Sequence, residues 1–447
     1  MRLIVFRQCL TYGGVLSILL ASWLSLAFAQ TRVYIDIDQV GGYLLPIALP
    51  KLLGEINDPE LGQGLRAVLR QDLENSGLFR IIDDAVYIDA FPQTLDTLRY
   101  QNWAAVGALG VIAGSVRPLP EDTQVSVELV LHDVVQQQPR FAGKEYRASR
   151  AHYREVAHRF SDLVFQAFTG EPGPFNTQVV CVTPRASGQK GKDIVLMDYD
   201  GHAVRNLITD GALNLTPTLS PDGKLLAYTS YRDGYPNIYL YHLQTGTEQR
   251  LTSGTGLALP GSWSPNGRYL AFNQTQEGNS DIFLYDTVKA QFIRLTTYWG
   301  IDVSPSFAPD STRLVFISDQ SGSPQLYLTD VQGRPPVRLT YEGNYNTSPV
   351  WSPRDDTIAF VGRPEMAQNL NIYTIRADGS GYRRLTNSGG QHESPTWAPD
   401  GRFLMYSSLR DGAWQRDLIR DDGHGQRQLP GTGPVCLSPQ WVARTTP

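Results

Sequence analysis

The sequence predicts a multidomain α+β protein, an N-terminal α/β sandwich domain followed by a six-bladed β-propeller. Three observations carry this. A proline dipeptide recurs through the second half as Ser220-Pro221, Ser264-Pro265, Ala308-Pro309, Ser352-Pro353, Ala398-Pro399 and Ser438-Pro439, its prolines stepping by 44, 44, 44, 46 and 40 residues. An Arg-Leu-Thr triplet keeps the same beat from Arg250, Arg294, Arg338 and Arg384, with a looser copy over Arg205–Thr209. Residues 30–172 instead alternate strand-like and helix-like patterns without a repeat. Four short strands in a period of roughly 40–50 residues belong to propeller blades rather than to helical solenoids.

The chain opens with Arg2 and Arg7, runs apolar and uncharged from Val15 to Phe28, and reaches Ala27-Phe28-Ala29 before Gln30. This is the layout of a secretory signal (residues 1–29) cleaved after Ala29. The run is short for a spanning helix, which needs roughly 20 apolar residues. Cys9 precedes the run, out of place for a lipidated first residue. Removing residues 1–29 takes away two arginines and no acids, moving the net charge from −5 to −7. That balance, with seven histidines and no long Lys/Arg run, argues against nucleic acid as a ligand. The expectation is an exported, soluble chain without direct membrane insertion.

In the first domain, Arg32-Val33-Tyr34-Ile35-Asp36-Ile37 alternates like a half-buried strand. Leu61, Leu65, Val68, Leu69 and Leu73 form one helical face, and Gly77 stands where a C-terminal cap glycine belongs. Phe79–Ile82 follows as a strand, Thr94–Val106 as a helix, Gly110–Val116 and Thr123–Asp133 as strands. Arg150–Phe168 is expected as a helix with Phe160, Leu163, Val164 and Ala167 inward. Gly170–Pro174 is a turn-rich linker, too short to let the domains (30–172 and 173–447) wander, so a fixed or switchable interface is expected.

Within a blade, Leu215–Ser220, Leu225–Thr229, Asn237–Leu243 and Gln249–Thr252 read as four strands. Pro221-Asp222-Gly223 turns the first back on the second, since proline presets φ and glycine accepts positive φ. Asp310-Ser311 and Asp355-Asp356 lack that glycine, so their hairpins are expected to differ. Gln178–Pro184 reads as a second strand without a first, and Val435–Val442 as a first strand without a second; pairing them closes the ring and removes exposed edges. Alignment with the neighbouring blade sets Cys181 at the place of Ala227 and Cys436 at that of Thr218. The pair either forms a disulfide across the closure or sits as two small buried apolar residues, since one residue of register decides which face each Cβ takes.

Chemistry-bearing motifs of hydrolases, nucleotide sites and metal sites are missing. His152 and His158, six residues apart on one helix, fall on different faces and are expected to be solvated. Loops joining each outer strand to the next inner strand share one face of the ring with the loops after the second strands. There Tyr231, Tyr298, Trp299, Tyr341 and Tyr345 stand among polar residues, the composition of a docking surface. His392 and Glu393 fall at the same channel mouth, His392 as a contact residue. Asp210, Asp302 and Glu393 are the carboxylates nearest to a cation-holding arrangement there. No metal or cofactor is expected. A secreted propeller hydrolase or lyase acting on glycan or peptide at the mouth is the rival reading, and a sugar-binding propeller a third.

The secretory layout, the α/β domain, the linker Thr169-Gly170-Glu171-Pro172-Gly173-Pro174-Phe175 and the Ser-Pro-Asp-Gly type blades together resemble the TolB family of the Tol-Pal envelope system, over essentially the whole mature chain. The resemblance implies a non-catalytic periplasmic protein. It would bind the peptidoglycan-associated lipoprotein Pal through its propeller and TolA through its extreme N-terminus, with other outer-membrane proteins as further partners. Such a protein serves outer-membrane integrity and constriction during cell division. By position, the TolA segment falls on Thr31–Gln39, an extended run able to add to a sheet edge. The Pal region falls on the mouth loops, including Leu257 and Ala258, and Ile317, Ser318 and Asp319.

Overall fold

The computed structural model describes residues 44–447 apart from 90–94, 96–97, 120–123, 186–188, 366–368, 388, 430–432 and 445–447. The signal-like segment and the strand expected at Arg32–Ile37 lie outside the described residues. A six-stranded sheet comes first: β1 (Leu45–Ala48), β2 (Phe79–Ile81), β3 (Gly110–Pro118), β4 (Gln124–Asp133), β5 (Gln138–Pro139) and β6 (Lys144–Ser149). Its order is β2-β1-β3-β4, with β5 and β6 both on β4. Helix α1 (Pro59–Asn75) starts at Asp58, whose carboxylate accepts from the Leu61 amide at 3.2 Å, and stops before Gly77 at φ +71°. Helix α2 is only Tyr100–Ala105, shorter than the expected Thr94–Val106. Helix α3 (Tyr153–Thr169) buries Val156, Ala157, His158, Phe160, Ser161, Val164, Phe165 and Phe168. Its inner face is therefore rotated from the expected one, leaving Leu163 and Ala167 half-buried. Strand alternation divides the layers: Gly110 faces Ile47 and Phe168 of α3, while Trp103 of α2 packs with the alternate residues Ala48 and Val111.

Six four-stranded sheets follow. The Arg-Leu-Thr triplet earns its recurrence at the outer strand of four blades. The leucines pack inward; the arginine Nε of Arg250, Arg294, Arg338 and Arg384 donates to the carbonyl of the threonine two residues on, at 2.6–2.9 Å. The threonine hydroxyls accept from the amides of Ile238, Ile282, Leu326 and Ile372 at 2.9–3.1 Å, satisfying the third strand where the short fourth strand ends.

Blades are joined by contacts between matching places of neighbouring blades. The Phe307, Trp351 and Trp441 amides donate to Ser262, Ser306 and Thr396 hydroxyls at 2.8–3.0 Å, and the Leu219 amide to Gln440 Oε1 at 2.6 Å. Each hydrophobic cluster of the ring likewise draws on two neighbouring blades; one joins Val180, Ile194 and Leu196 to Leu219, Leu226 and Tyr228. Ser311, where the Asp-Gly turns carry glycine, adopts φ +62° and accepts from the Asn266 amide one blade away.

The closing blade runs from the C-terminal strand Leu437–Ala443 to β7 (Thr177–Pro184), β8 (Lys192–Asp198) and β9 (Arg205–Ile208), the arrangement expected from the unpaired strand signatures. Its alignment needs one correction. Ser438-Pro439 is not the hairpin Ser-Pro of the other blades. Ser438 lies at φ +48°, like Thr216 (+44°), Ser304 (+55°), Ser348 (+50°) and Ser394 (+52°), each followed by proline at an inner-strand bulge. Counted on Pro217, Gly261, Pro305, Pro349, Pro395 and Pro439, the steps become 44, 44, 44, 46 and 44, and the odd step of 40 vanishes. Cys436 then takes the place of Asn214 and Cys181 that of Tyr228, not those of Thr218 and Ala227.

The two cysteines form a disulfide with Cα atoms 5.5 Å apart, spanning 255 residues. A link that closes so long a loop restricts the unfolded chain most. Cys436→Ser is expected to cost about 2–5 kcal/mol, read as a lower denaturant midpoint, with reductant then having no further effect. Non-reducing peptide mapping of protein from an oxidising compartment should recover the 181–436 pair, and two free thiols there would refute it.

Candidate docking site at the channel mouth

Strands meet the mouth where Asn214 pairs with Ser230 and Asp302 with Ser318, so the loops before each inner strand and after each second strand lie side by side. Tyr298 (44% exposed), Trp299 (73%) and Tyr341 (73%) present aromatic surface there, with Ile301 beside them. The rim is held, not loose. The Gly300 amide donates to Asn279 Oδ1 at 2.5 Å and the Ile301 amide to Asp319 Oδ1 at 2.9 Å, fastening the two residues that follow Trp299. Any Cβ on Gly300 would collide with that carboxylate, 2.4 Å away. The Arg338 guanidinium lies 4.8 Å from the centre of the Tyr341 ring and Arg363 5.1 Å from that of Tyr345, which is half-buried.

Other expected contact residues are structural. Ala258, Ile317, Ser318 and His392 are buried, a correction to their placement as partner contacts. Ala258 accepts the Thr229 hydroxyl on its carbonyl at 2.6 Å, Leu257 is half-buried with its carbonyl on the Thr275 amide, and the Ser318 hydroxyl accepts from the Gln320 amide. Asp319 positions the Trp299 loop. His392 packs edge-on against Tyr406, ring centres 5.3 Å apart. The signal was available: His392 recurs at the repeat spacing with Asn214, Ala258, Asp302, Asn346 and Cys436, all buried at the head of an inner strand.

The three mouth carboxylates serve separate blades. Asp210 pairs with Arg232 at 3.1 Å and accepts from Asn214 at 2.8 Å. Burial raises the Asp302 carboxyl against the pull of the Ser318 and Thr296 hydroxyls, and burial raises Glu393. Among the described residues, the acid and histidine ligand atoms that gather within 4.8 Å of one another belong instead to Asp72, His158 and Asp200.

Those residues lie where the α/β layer meets the propeller, and the sequence reading missed them. His158 is fully buried, not solvated. It sits on the inward stripe of Ala157, Ser161, Val164 and Phe165, and Asp72 between Leu69 and Leu73, so the helical periodicity carried the signal. Around them Phe165 meets Phe175 and Phe403, Tyr199 stacks on Trp441, and Arg402 bonds Glu171 at 2.6 Å.

The architecture defines a class: an α/β layer packed on a closed six-bladed propeller whose far mouth carries a fixed aromatic rim. The chain matches the family models for the TolB beta propeller domain over residues 165–445 and the TolB amino-terminal domain over residues 33–140. It belongs to the TolB family. Proteins named Tol-Pal system protein TolB are 37% identical over 238 residues in Polaromonas sp. and 35% identical over 238 residues in Cereibacter sphaeroides. Each match takes in 53% of either chain, so the chain spans about half the length of the curated relatives it matches. The crystal structure of TolB from Acinetobacter baumannii superposes with a TM-score of 0.79 at 27% identity, covering 90% of this chain and 97% of that one.

Asp162 fastens the linker, accepting from the Phe175 and Asn176 amides at 2.8 and 3.1 Å. Burial nonetheless raises its carboxyl from 3.8 to about 7. The folded state keeps a proton that the unfolded chain releases above about pH 4, so this contribution is complete below that pH and lost as pH climbs through about 7. Wild-type stability is expected to fall relative to Asp162→Asn across that window, by at most roughly 1.4 kcal/mol per pH unit. Parallel stability curves for the two proteins would show that Asp162 titrates normally.

Proposed function

We propose that the chain is a non-catalytic periplasmic binding component of the Tol-Pal envelope system, joining the lipoprotein Pal at its propeller mouth to TolA at its N-terminal segment. In that role it maintains the outer membrane and its constriction during division. The observation that carries the reading is the aromatic rim: Trp299 and Tyr341 stand exposed beside backbone groups already hydrogen-bonded, at Gly300 and Ile301 and at Glu342 and Gly343, so a partner meets large apolar area on loops already held. Tyr298 and Ile301 extend the patch, and Tyr345 with Glu393 borders it. Membership of the TolB family supports the system, and the names of the matched relatives support the envelope role. The segment Thr31–Gln39, Arg32 to Ile37 at its centre, serves as the TolA strand in this reading. Neither a Gly-x-Ser-x-Gly elbow nor a His-Glu-x-x-His pair occurs in the sequence, which disfavours the hydrolase alternative.

Purified Pal is expected to bind the chain from Gln30 onward, and the Trp299→Ala/Tyr341→Ala variant to bind it about 10- to 100-fold more weakly. Deleting Thr31–Gln39 should abolish TolA binding and leave Pal bound. Titration calorimetry with each partner decides it. Unchanged Pal affinity in the double variant sinks the mouth assignment, and turnover of glycan or peptide by the purified chain would favour the enzyme.

A further inference from the structure

Asp72 of α1 is fully buried, and among the described residues the one side chain able to carry positive charge within ion-pair distance of it is His158, Nδ1 to Oδ2 at 2.9 Å. Its other oxygen accepts the Tyr199 hydroxyl at 2.7 Å. The second imidazole nitrogen, Nε2, faces the propeller, 3.7 Å from Asp200 and 3.9 Å from Asp198 at the turn that ends β8. A carboxylate sealed in this way strands a charge unless its partner is a cation. A proton on both ring nitrogens lets one imidazolium face Asp72 of the α/β layer and the two aspartates of the propeller together. We infer that His158 is a protonation-dependent latch, clamping the α/β layer to the closing blade when charged and loosening it when neutral.

The surroundings fit a proton better than a metal ion. Asp200 already pairs with Arg154, and Asp198 with Arg444 at 2.7 Å. Both Asp72 oxygens are taken by His158 and Tyr199, so three oxygen ligands are not on offer. Every element packed here contributes. From α3, Arg154 adds positive charge, and Asp162 keeps its proton to about pH 7, adding little negative charge below that. From the propeller, burial lowers the Arg416 guanidinium, which faces Asp200 without pairing within 4 Å, and lowers Arg427, which faces Tyr199 and Glu74. Burial lowers His202 beside Asp200, so it stays neutral more readily than His158. Tyr199 remains a neutral donor, its pKa held well above 10 by burial. At His158 burial opposes the charge, but Asp72, Asp200 and Asp198 outweigh it and raise the pKa above 6.5. The latch is therefore complete below about pH 6.5 and released as pH rises through the raised value.

The test joins imidazole nitrogen NMR with melting curves on the chain from Gln30. At about pH 6 the His158 resonance, assigned by its loss in His158→Gln, should show both nitrogens protonated. The melting-point gap between wild type and His158→Gln should be several degrees at about pH 6 and shrink towards zero as pH rises. If His158→Gln does not fold, Tyr199→Phe, which keeps every charge, supplies the assignment through its ring contact with His158. A neutral imidazole at pH 6, or a gap independent of pH, overturns the latch. So does a melting point that chelator lowers and Zn2+ restores in wild type but not in Asp72→Asn, which would make the cluster a metal site.

Discussion

A six-bladed ring needs six blade-to-blade seams, and chain continuity alone can bring together only the neighbours that follow one another. The last seam depends on Leu437–Ala443 returning some 260 residues to pair with Thr177–Pro184. Until that strand arrives, β7 is an open edge able to pair with another chain. Trp441 concentrates the closure: its amide donates to Thr396, its indole to Thr177 at 2.7 Å, and its ring lies parallel to Tyr199. The disulfide between Cys181 and Cys436 adds a covalent tie at the opposite end of the same strand pair. One strand pair thus governs the ring, and the edge that would otherwise aggregate becomes an interior seam.

The repeat made most of this legible, because blade geometry demands the same residue at the same place each time. Arg-Leu-Thr marks a fixed network, and its phase predicts the blades. Where two similar dipeptides occupy different places in one blade, the pattern misleads: Ser-Pro occurs both at the hairpin (Ser352-Pro353) and at the inner-strand bulge (Ser348-Pro349). The positive φ of Ser438 and its place at the strand bulge tell which one the last copy is. Burial of polar residues was harder to read. His392 and His158 look like surface histidines by composition, yet both fall on inward positions that the repeat and the helical stripe mark. A polar side chain on an apolar stripe is a partner-seeking group rather than an exposed one, since burying it unpaired is costly. The aromatic rim was readable as composition. Its rigidity was not, because Asn279 and Asp319 come to the Trp299 loop from elsewhere in the chain, one heading a strand and one following another.

The two surfaces differ in the physics they use. At the mouth, exposed rings stand on anchored backbone, the arrangement that suits a partner which comes and goes: little conformational entropy is lost on contact. At the junction with the α/β layer, aromatic packing surrounds buried acidic and basic side chains. Coulombic interactions there are strong and directional, and removal of one partner leaves the other uncompensated. Such an interface holds one geometry tightly or gives way; it does not slide.

These surfaces lie at opposite ends of the inner and second strands. Leu409 pairs with Gln391 near the mouth, while Phe403, six residues back along the same strand, packs on Phe165 of α3. The second strand of that blade, Phe403–Arg410, therefore runs from the aromatic mouth to the α/β layer, and the inner strand of the closing blade does likewise between Cys436 and Trp441. Any coupling between the N-terminal layer and the mouth must run along these strands or through the blade seams, and must be reciprocal in free energy. A close-packed seam such as Trp441 on Thr177 and Tyr199 moves as a unit or not at all. The His158 cluster touches that seam through Tyr199, so the place where a proton acts on the layer is also the place where the ring is closed.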